Sequence, residues 1–196
     1  MAHRSLSAGA FALVLLQCGS PGQQQAAPNR AQPASGEVDQ QSELLLRPAA
    51  GDTGDEEIAG VLLALDDGWS DQARLALGRA RDPRVKAFAG QMLEHRGLTS
   101  EAVTSLEPDP VESPLSEAVD SETGRAYARL LAEGWRRFDE SFLDEQIRSF
   151  EDALTLIDER LMPRAQDEEI ETLLADYSAG VSAQLERARE LRVLLE

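Results

Sequence analysis

The sequence predicts an all-α fold between residues 55 and 196, an antiparallel four-helix bundle with an extra or broken helix. Three observations predict it. From Asp55 onward, apolar residues recur at spacings of three and four, the period of one helical face. No stretch sustains the period-two alternation with β-branched residues that marks a half-buried strand. The chain is 42% hydrophobic but only 5% aromatic, a balance that suits aliphatic helix packing better than a sandwich or barrel. Helices of about 25 residues joined by short loops imply antiparallel neighbours around one core.

The first helix is traced by Ile58, Leu62, Leu65, Trp69, Ala73, Ala76 and Ala80, and Asp55, Glu56 and Glu57 place negative charge at its positive end. Asp82-Pro83 stops it and starts the next, as an N-cap followed by proline at the first helical position. The second helix carries Val85, Phe88, Met92, His95, Thr99, Ala102 and Leu106 on its stripe, with Gly97 as a point of fraying or kinking. Glu107-Pro108-Asp109-Pro110 ends it, because prolines remove donors and restrict the residues before them. Ser113-Pro114 opens a weaker third helix through Leu115, Val119, Ala126 and Leu130, so that residues 113–136 form the extra or broken element. The fourth follows Leu143, Ile147, Phe150, Leu154, Ile157 and Leu161 and closes at Pro163. Asp167 to Glu169 open the last, which runs through Ile170, Leu174, Tyr177, Val181, Gln184, Ala188 and Leu191.

Ahead of this domain, residues 1–17 read as an export signal. His3 and Arg4 form a weakly basic start, and Ala8 to Leu16 is an apolar run of signal-peptide length. The run is short of the roughly 20 residues that span a bilayer. It ends in Leu15-Leu16-Gln17-Cys18, which resembles the lipobox of bacterial lipoproteins, although Gln17 stands where a small residue is usual. The resemblance implies cleavage before Cys18 and acylation of its thiol; the alternative is an ordinary signal peptide with an incidental cysteine. Several acyl chains together hold a protein stably at a membrane of the cell envelope. Gly19 stands where an aspartate often signals inner-membrane retention, which favours the outer membrane, with the domain facing the periplasm, over the inner membrane as the alternative. Residues 18–54 are then the lipidated cysteine and a tether rich in Gln, Pro, Ala, Gly and Ser, with Leu44-Leu45-Leu46 as its one apolar cluster. Such a composition buries too little surface to offset its ordering entropy, and it gives a reach on the order of 30 Å.

Thirty-six acidic residues against 19 basic ones give a net charge of −17. A surface of that sign repels nucleic acid and anionic lipid headgroups over a Debye length of about 8 Å, so neither is expected as a partner. The charge serves solubility, or it attracts cations or a basic partner. Cys18 is the sole cysteine, so no intrachain disulfide can form, and His3 and His95 are the only histidines.

The string Ala76-Leu77-Gly78-Arg79-Ala80-Arg81-Asp82-Pro83-Arg84-Val85-Lys86-Ala87-Phe88-Ala89, followed by Met92-Leu93-Glu94-His95, resembles the DUF4142 family. So does Phe138-Asp139-Glu140-Ser141-Phe142-Leu143 with Gln146-Ile147 behind it, and the resemblance covers most of residues 55–192 in the same motif order. It implies an exported bacterial protein with a ferritin-like helical bundle and no settled biochemical role. Family members carry inward-facing histidines at three places. Here the second place is Phe150 and the third is Gln184; the first falls at His95 or, one residue on, at Arg96. His95, Phe150 and Gln184 all lie on the apolar stripes and are expected to converge on the interior. An imidazole, a phenyl ring and an amide do not make a metal site, so any metal bound there by relatives is expected to be lost.

The remaining candidates are sparse. His95 beside Glu94 reads as a ligand or proton carrier, or as a neutral histidine held by a hydrogen bond. A ferritin-like di-iron site needs Glu-x-x-His pairs on two helices, whereas Met92 precedes His95 by three and no second histidine follows. The acidic groups Asp55-Glu56-Glu57, Asp139-Glu140, Asp144-Glu145, Glu151-Asp152 and Asp167-Glu168-Glu169 lack calcium-loop spacing and are expected on polar faces or first turns. Arg136-Arg137 reads as a hinge capped by local acids, or as a contact for a partner. No Gly-x-Ser-x-Gly elbow or glycine-rich phosphate loop is present. No catalytic, metal or cofactor-binding set is therefore expected, and no cofactor. The expected function is a non-enzymatic module tethered to the envelope that contacts other envelope components or simply occupies the periplasm. The rivals are a ferritin-like metal-binding or redox protein using His95 with carboxylates, and a small-ligand pocket between helices.

Overall fold

The computed structural model describes residues 54–105 and 109–195. The signal segment, Cys18, Leu44-Leu45-Leu46 and the rest of the expected tether up to residue 53 lie outside the described residues, as does Leu106. The described residues form five helices and no strand: α1 (Asp55–Arg79), α2 (Pro83–Thr104), α3 (Pro114–Ala132), α4 (Phe138–Leu156) and α5 (Glu168–Leu194). None of them is long and apolar enough to cross a membrane.

The helix starts follow local chemistry. Asp82 caps α2 by accepting from the Arg84 backbone N–H at 2.7 Å, with Pro83 in the first turn. Ser113 and Ser116 cap α3 reciprocally, each hydroxyl accepting from the other's backbone N–H at 3.2 and 2.9 Å. Asp167 caps α5 through the Glu169 N–H at 2.7 Å. Segment 113–136 is thus a continuous helix over most of its length, and α2 runs through Gly97 to Thr104 without a break. After α4 the backbone widens into a π-helical segment, Ile157–Leu161, and tightens into a 3₁₀ turn, Met162–Arg164, where Pro163 stops it.

Most packing is organised on α1. Helices α2 and α3 lie along it, α4 pairs chiefly with α5, and α5 also packs on α2. The inner face of α1 buries Ile58, Leu62, Leu65, Trp69, Ala73 and Ala76, as the spacing predicts. A second face, legible only as small residues, admits α3. A Cβ on Gly68 would overlap Thr123 of α3, and one on Gly60 would overlap the Val111 carbonyl, whose residue donates its N–H to the Glu56 oxygen at 3.0 Å.

Two expected stripes are corrected. On α2 Ala102 is exposed and Val103 is buried, because the inward line passes through Arg96 and not His95. On α4 Ile147 and Leu154 are only partly buried; the interior takes Phe142, Leu143, Gln146, Phe150 and Ala153. The reason is polar: the Gln146 amide donates to Gln72 Oε1 at 2.6 Å, and Gln72 Nε2 donates to the Thr123 carbonyl at 3.3 Å. Glu145, expected on a polar face, is also buried, held by Arg129 at 2.9 Å and Arg148 at 2.5 Å.

Helix ends are tied by side chains from neighbouring elements. Arg79 donates to the carbonyls of Leu131 (2.7 Å) and Glu133 (2.6 Å), supplying partners that the end of α3 lacks. Asp139 of α4 accepts from the backbone N–H groups of Arg81 (3.0 Å) and Asp82 (2.8 Å), and Asp55 of α1 accepts from Gln166 N–H at 3.0 Å.

Gly68→Ala is expected to lower stability by about 1–3 kcal/mol, since its methyl group must displace Thr123. Gly90→Ala in α2, where an added Cβ meets nothing within 4 Å, is expected to raise it by about 0.5–1 kcal/mol. Urea denaturation of both variants checks the pair, and destabilisation of equal size in both would contradict the close α1–α3 approach.

Candidate functional site

Four of the five helices deliver polar or aromatic groups to one place in the interior. Asp66 and Trp69 come from α1, Arg96 and Ser100 from α2, Phe150 from α4, and Tyr177 and Gln184 from α5. Asp66 and Arg96 are each 1% exposed, and Arg96 Nη1 donates to Asp66 Oδ1 at 3.0 Å. The same oxygen accepts from the Tyr177 hydroxyl at 2.8 Å, and Oδ2 accepts from the Ser100 hydroxyl at 3.2 Å. Arg96 Nη2 donates to Gln184 Oε1 at 2.8 Å. The guanidinium carbon lies 4.2 Å from the Trp69 ring centroid and 5.3 Å from that of Tyr177, so ring faces take up part of its charge. The Trp69 indole N–H donates to Ser149 Oγ at 2.7 Å, and its ring meets Phe150 edge to face at 5.0 Å.

The electrostatics follow from burial. Desolvation raises the Asp66 carboxyl above its ordinary range, while the Arg96 charge and the Tyr177 and Ser100 hydrogen bonds pull it back. Desolvation also lifts Tyr177 well above the usual phenol value, so it keeps its proton and serves as a donor. Every strong acceptor in the cluster is used by a donor within it. The arrangement locks helices together; it does not present a base or nucleophile to a cleft.

Of the positions named from the sequence, Phe150 and Gln184 reach this cluster and His95 does not. The imidazole sits to one side, in the seam between α2 and α5, where a Cβ on Gly180 would overlap its ring. That seam is an open groove of about 280 Å³ lined by Phe88, Met92, His95, Gly180, Gln184 and Arg187. The physical reason is helical pitch: one residue turns the side chain by about 100°, so only one of His95 and Arg96 can face inward. His95 Nε2 is buried without a hydrogen-bond partner among the described residues. Desolvation first, and the Arg96 charge second, hold its pKa below the ordinary histidine value, with Asp66 opposing.

A metal does not fit these residues. Phe150 has no donor atom, Gln184 Oε1 and both Asp66 oxygens already accept hydrogen bonds, and a cation at His95 would meet the Arg96 charge. No group of three His, Cys, Asp or Glu side chains suited to a metal occurs among the described residues. Among the acidic groups, Asp139 holds the α1–α2 turn and Glu145 holds Arg129 and Arg148. The cleft between α3 and α4, floored by Leu65, Val119, Ala126 and Leu156, offers only about 40 Å³, far below the roughly 300–1,000 Å³ of small-molecule pockets.

Sequence reasoning missed Asp66 and the inward role of Arg96. The signal was available. Asp66 lies four residues past Leu62 and three before Trp69, and Arg96 lies four past Met92 and three before Thr99. Each is a charged residue on an apolar stripe, and the two charges are opposite. A family model described as Domain of unknown function (DUF4142) matches residues 45–191. No curated protein and no solved structure matches the chain.

Arg96→Met is expected to cost about 3–5 kcal/mol in urea denaturation, because it strands a buried carboxylate. The double variant Asp66→Leu/Arg96→Met should be more stable than Arg96→Met alone; equal or greater loss would contradict a coupled pair. A second prediction concerns pH. The folded chain binds the His95 proton less readily than the unfolded chain, so unfolding takes up a proton below about pH 6.5. The stability tied to neutral His95 is present above that pH and lost below it. The urea midpoint of the wild type should therefore fall relative to His95→Gln between about pH 7.5 and 5, and parallel curves would rule this out.

Proposed function

The chain belongs to the DUF4142 family, described as a domain of unknown function, and we propose that it is a non-catalytic helical module. In this reading it is held at the cell envelope by an acylated Cys18, at the outer membrane and facing the periplasm, and it acts through contacts with other envelope components. The observation that carries the non-catalytic part is the interior cluster: Asp66, Arg96, Tyr177, Ser100 and Gln184 direct their polar atoms at one another. Catalysis by acid, base or nucleophile needs such groups within reach of a substrate. Here they serve cohesion, which leaves the outer surface as the working part.

Support for the anchor comes from Leu15-Leu16-Gln17-Cys18 and the Gln- and Pro-rich residues behind it. Lipid attachment through several chains converts a domain into a stable resident of a membrane surface. A thirty-Å-scale reach for the tether lets the domain explore partners beside the membrane without leaving it.

Intact mass of the membrane-extracted protein tests the anchor. The expected species begins at Cys18 and carries acyl chains, and Cys18→Ala abolishes it; a cleaved but unmodified chain would overturn the lipoprotein reading. Titration of the purified protein with zinc and iron tests the non-catalytic reading. No stoichiometric uptake is expected, whereas binding near one ion per chain that is lost in His95→Ala would establish the metal-binding rival.

A further inference from the structure

We propose that the end of the bundle where α1, α3 and α5 finish and α2 and α4 begin docks on an anionic phospholipid surface. Trp135, in the connection from α3 to α4, is 56% exposed. Two guanidiniums from separate connections lie against its indole: Arg81 at 4.7 Å and Arg136 at 5.1 Å from the ring centroid. Leu131 and Leu194 at the same end are 54% and 57% exposed. An apolar tip flanked by cations is therefore displayed to solvent.

The average charge of the chain conceals this. Over the whole sequence the net charge is −17, which predicts repulsion from anionic headgroups. Segments 79–86 and 131–140, which meet at this tip, instead hold six basic residues against four acidic. Three of those acids already have partners at this end: Asp82 is held by Arg84, Asp139 by the Arg81 and Asp82 N–H groups, and Glu133 by the Gly134 N–H and the Ser141 hydroxyl. Arg81, Lys86 and Arg136 form no ion pair among the described residues, and Arg136 stacks on Trp135 in place of the acid cap expected for it. The far end of the bundle is roughly 35 Å away along α1, several Debye lengths of about 8 Å, so its acids contribute little field here.

The chemistry fits phospholipid. An indole ring settles at headgroup depth, where one edge is wet and the other apolar. Guanidinium binds phosphate oxygens through paired N–H groups, and its stem lies along apolar surface. Clustered cations near an anionic leaflet each add attraction that salt removes. Gly54 leads into α1 at the opposite end, so this docking is independent of any attachment through Cys18.

The chain has two tryptophans, and Trp69 is 0% exposed, so an aqueous quencher reads Trp135. The full chain, mixed with phosphatidylglycerol-rich vesicles, should show Trp135 quenching reduced by about twofold or more, with recovery at high salt. Phosphatidylcholine vesicles should leave quenching unchanged, and R81Q/R136Q should remove the effect while retaining the wild-type urea midpoint. Should that variant unfold, the salt reversal in the wild-type chain decides. Equal quenching with both vesicle types, or protection that resists salt, overturns the proposal. Protection that grows with protein concentration without vesicles also overturns it and assigns the tip to a second copy of the chain.

Discussion

The Arg96 guanidinium and the Asp66 carboxylate lie together in the middle of the bundle, each 1% exposed. Two charges removed from water are costly unless their remaining protons and lone pairs find partners, and of these groups Arg96 Nε is left without one among the described residues. That requirement reaches into each helix around them. It draws the Tyr177 hydroxyl and the Gln184 amide from α5, the Ser100 hydroxyl from α2 and the Trp69 ring from α1. It also sets the rotation of α2 about its own axis. With Arg96 inside, His95 must fall in the α2–α5 seam, where Gly180 leaves room for its ring.

The same accounting of polar groups governs the ends of the helices. A helix leaves carbonyls unpaired at one end and N–H groups unpaired at the other. Here side chains from adjacent elements fill several of those vacancies: Arg79 reaches the end of α3, Asp139 the start of α2, and Asp55 the approach to α5. These bonds join segments 50 to more than 100 residues apart in sequence. Together with the bare Gly60 and Gly68 face of α1, they position α3 as a helix laid on α1 and not as an interruption of its neighbour.

This economy has a consequence for function. The Asp66, Arg96, Ser100 and Tyr177 polar groups face one another in the dry interior, and the cavity between α3 and α4 is small, while His95 lies apart in the α2–α5 groove. What differs from place to place is the outer surface. A strongly acidic chain displays one end where arginines and an exposed indole gather, because the α1–α2 and α3–α4 connections are brought together by Asp139 and the tips of their helices. Averaged over 196 residues, that feature vanishes into the net charge.

Much of this was legible in order along the chain. Asp82-Pro83, Ser113-Pro114 and Asp167 announced helix starts, the Ile58 to Ala76 and Ile170 to Leu191 stripes announced buried faces, and the paired motifs around Phe88 and Phe138 announced the family. These are local signals: a cap needs a residue two or three positions away, and a stripe needs only its own helix. Whether His95 or Arg96 enters the core, whether Gln146 or Ile147 does, and whether Glu145 is solvated were decided by the tertiary structure. Each of those outcomes depends on a partner from a distant helix, Asp66, Gln72 or Arg129. A polar side chain becomes an interior residue only when its complement arrives beside it, and no single helix carries that information.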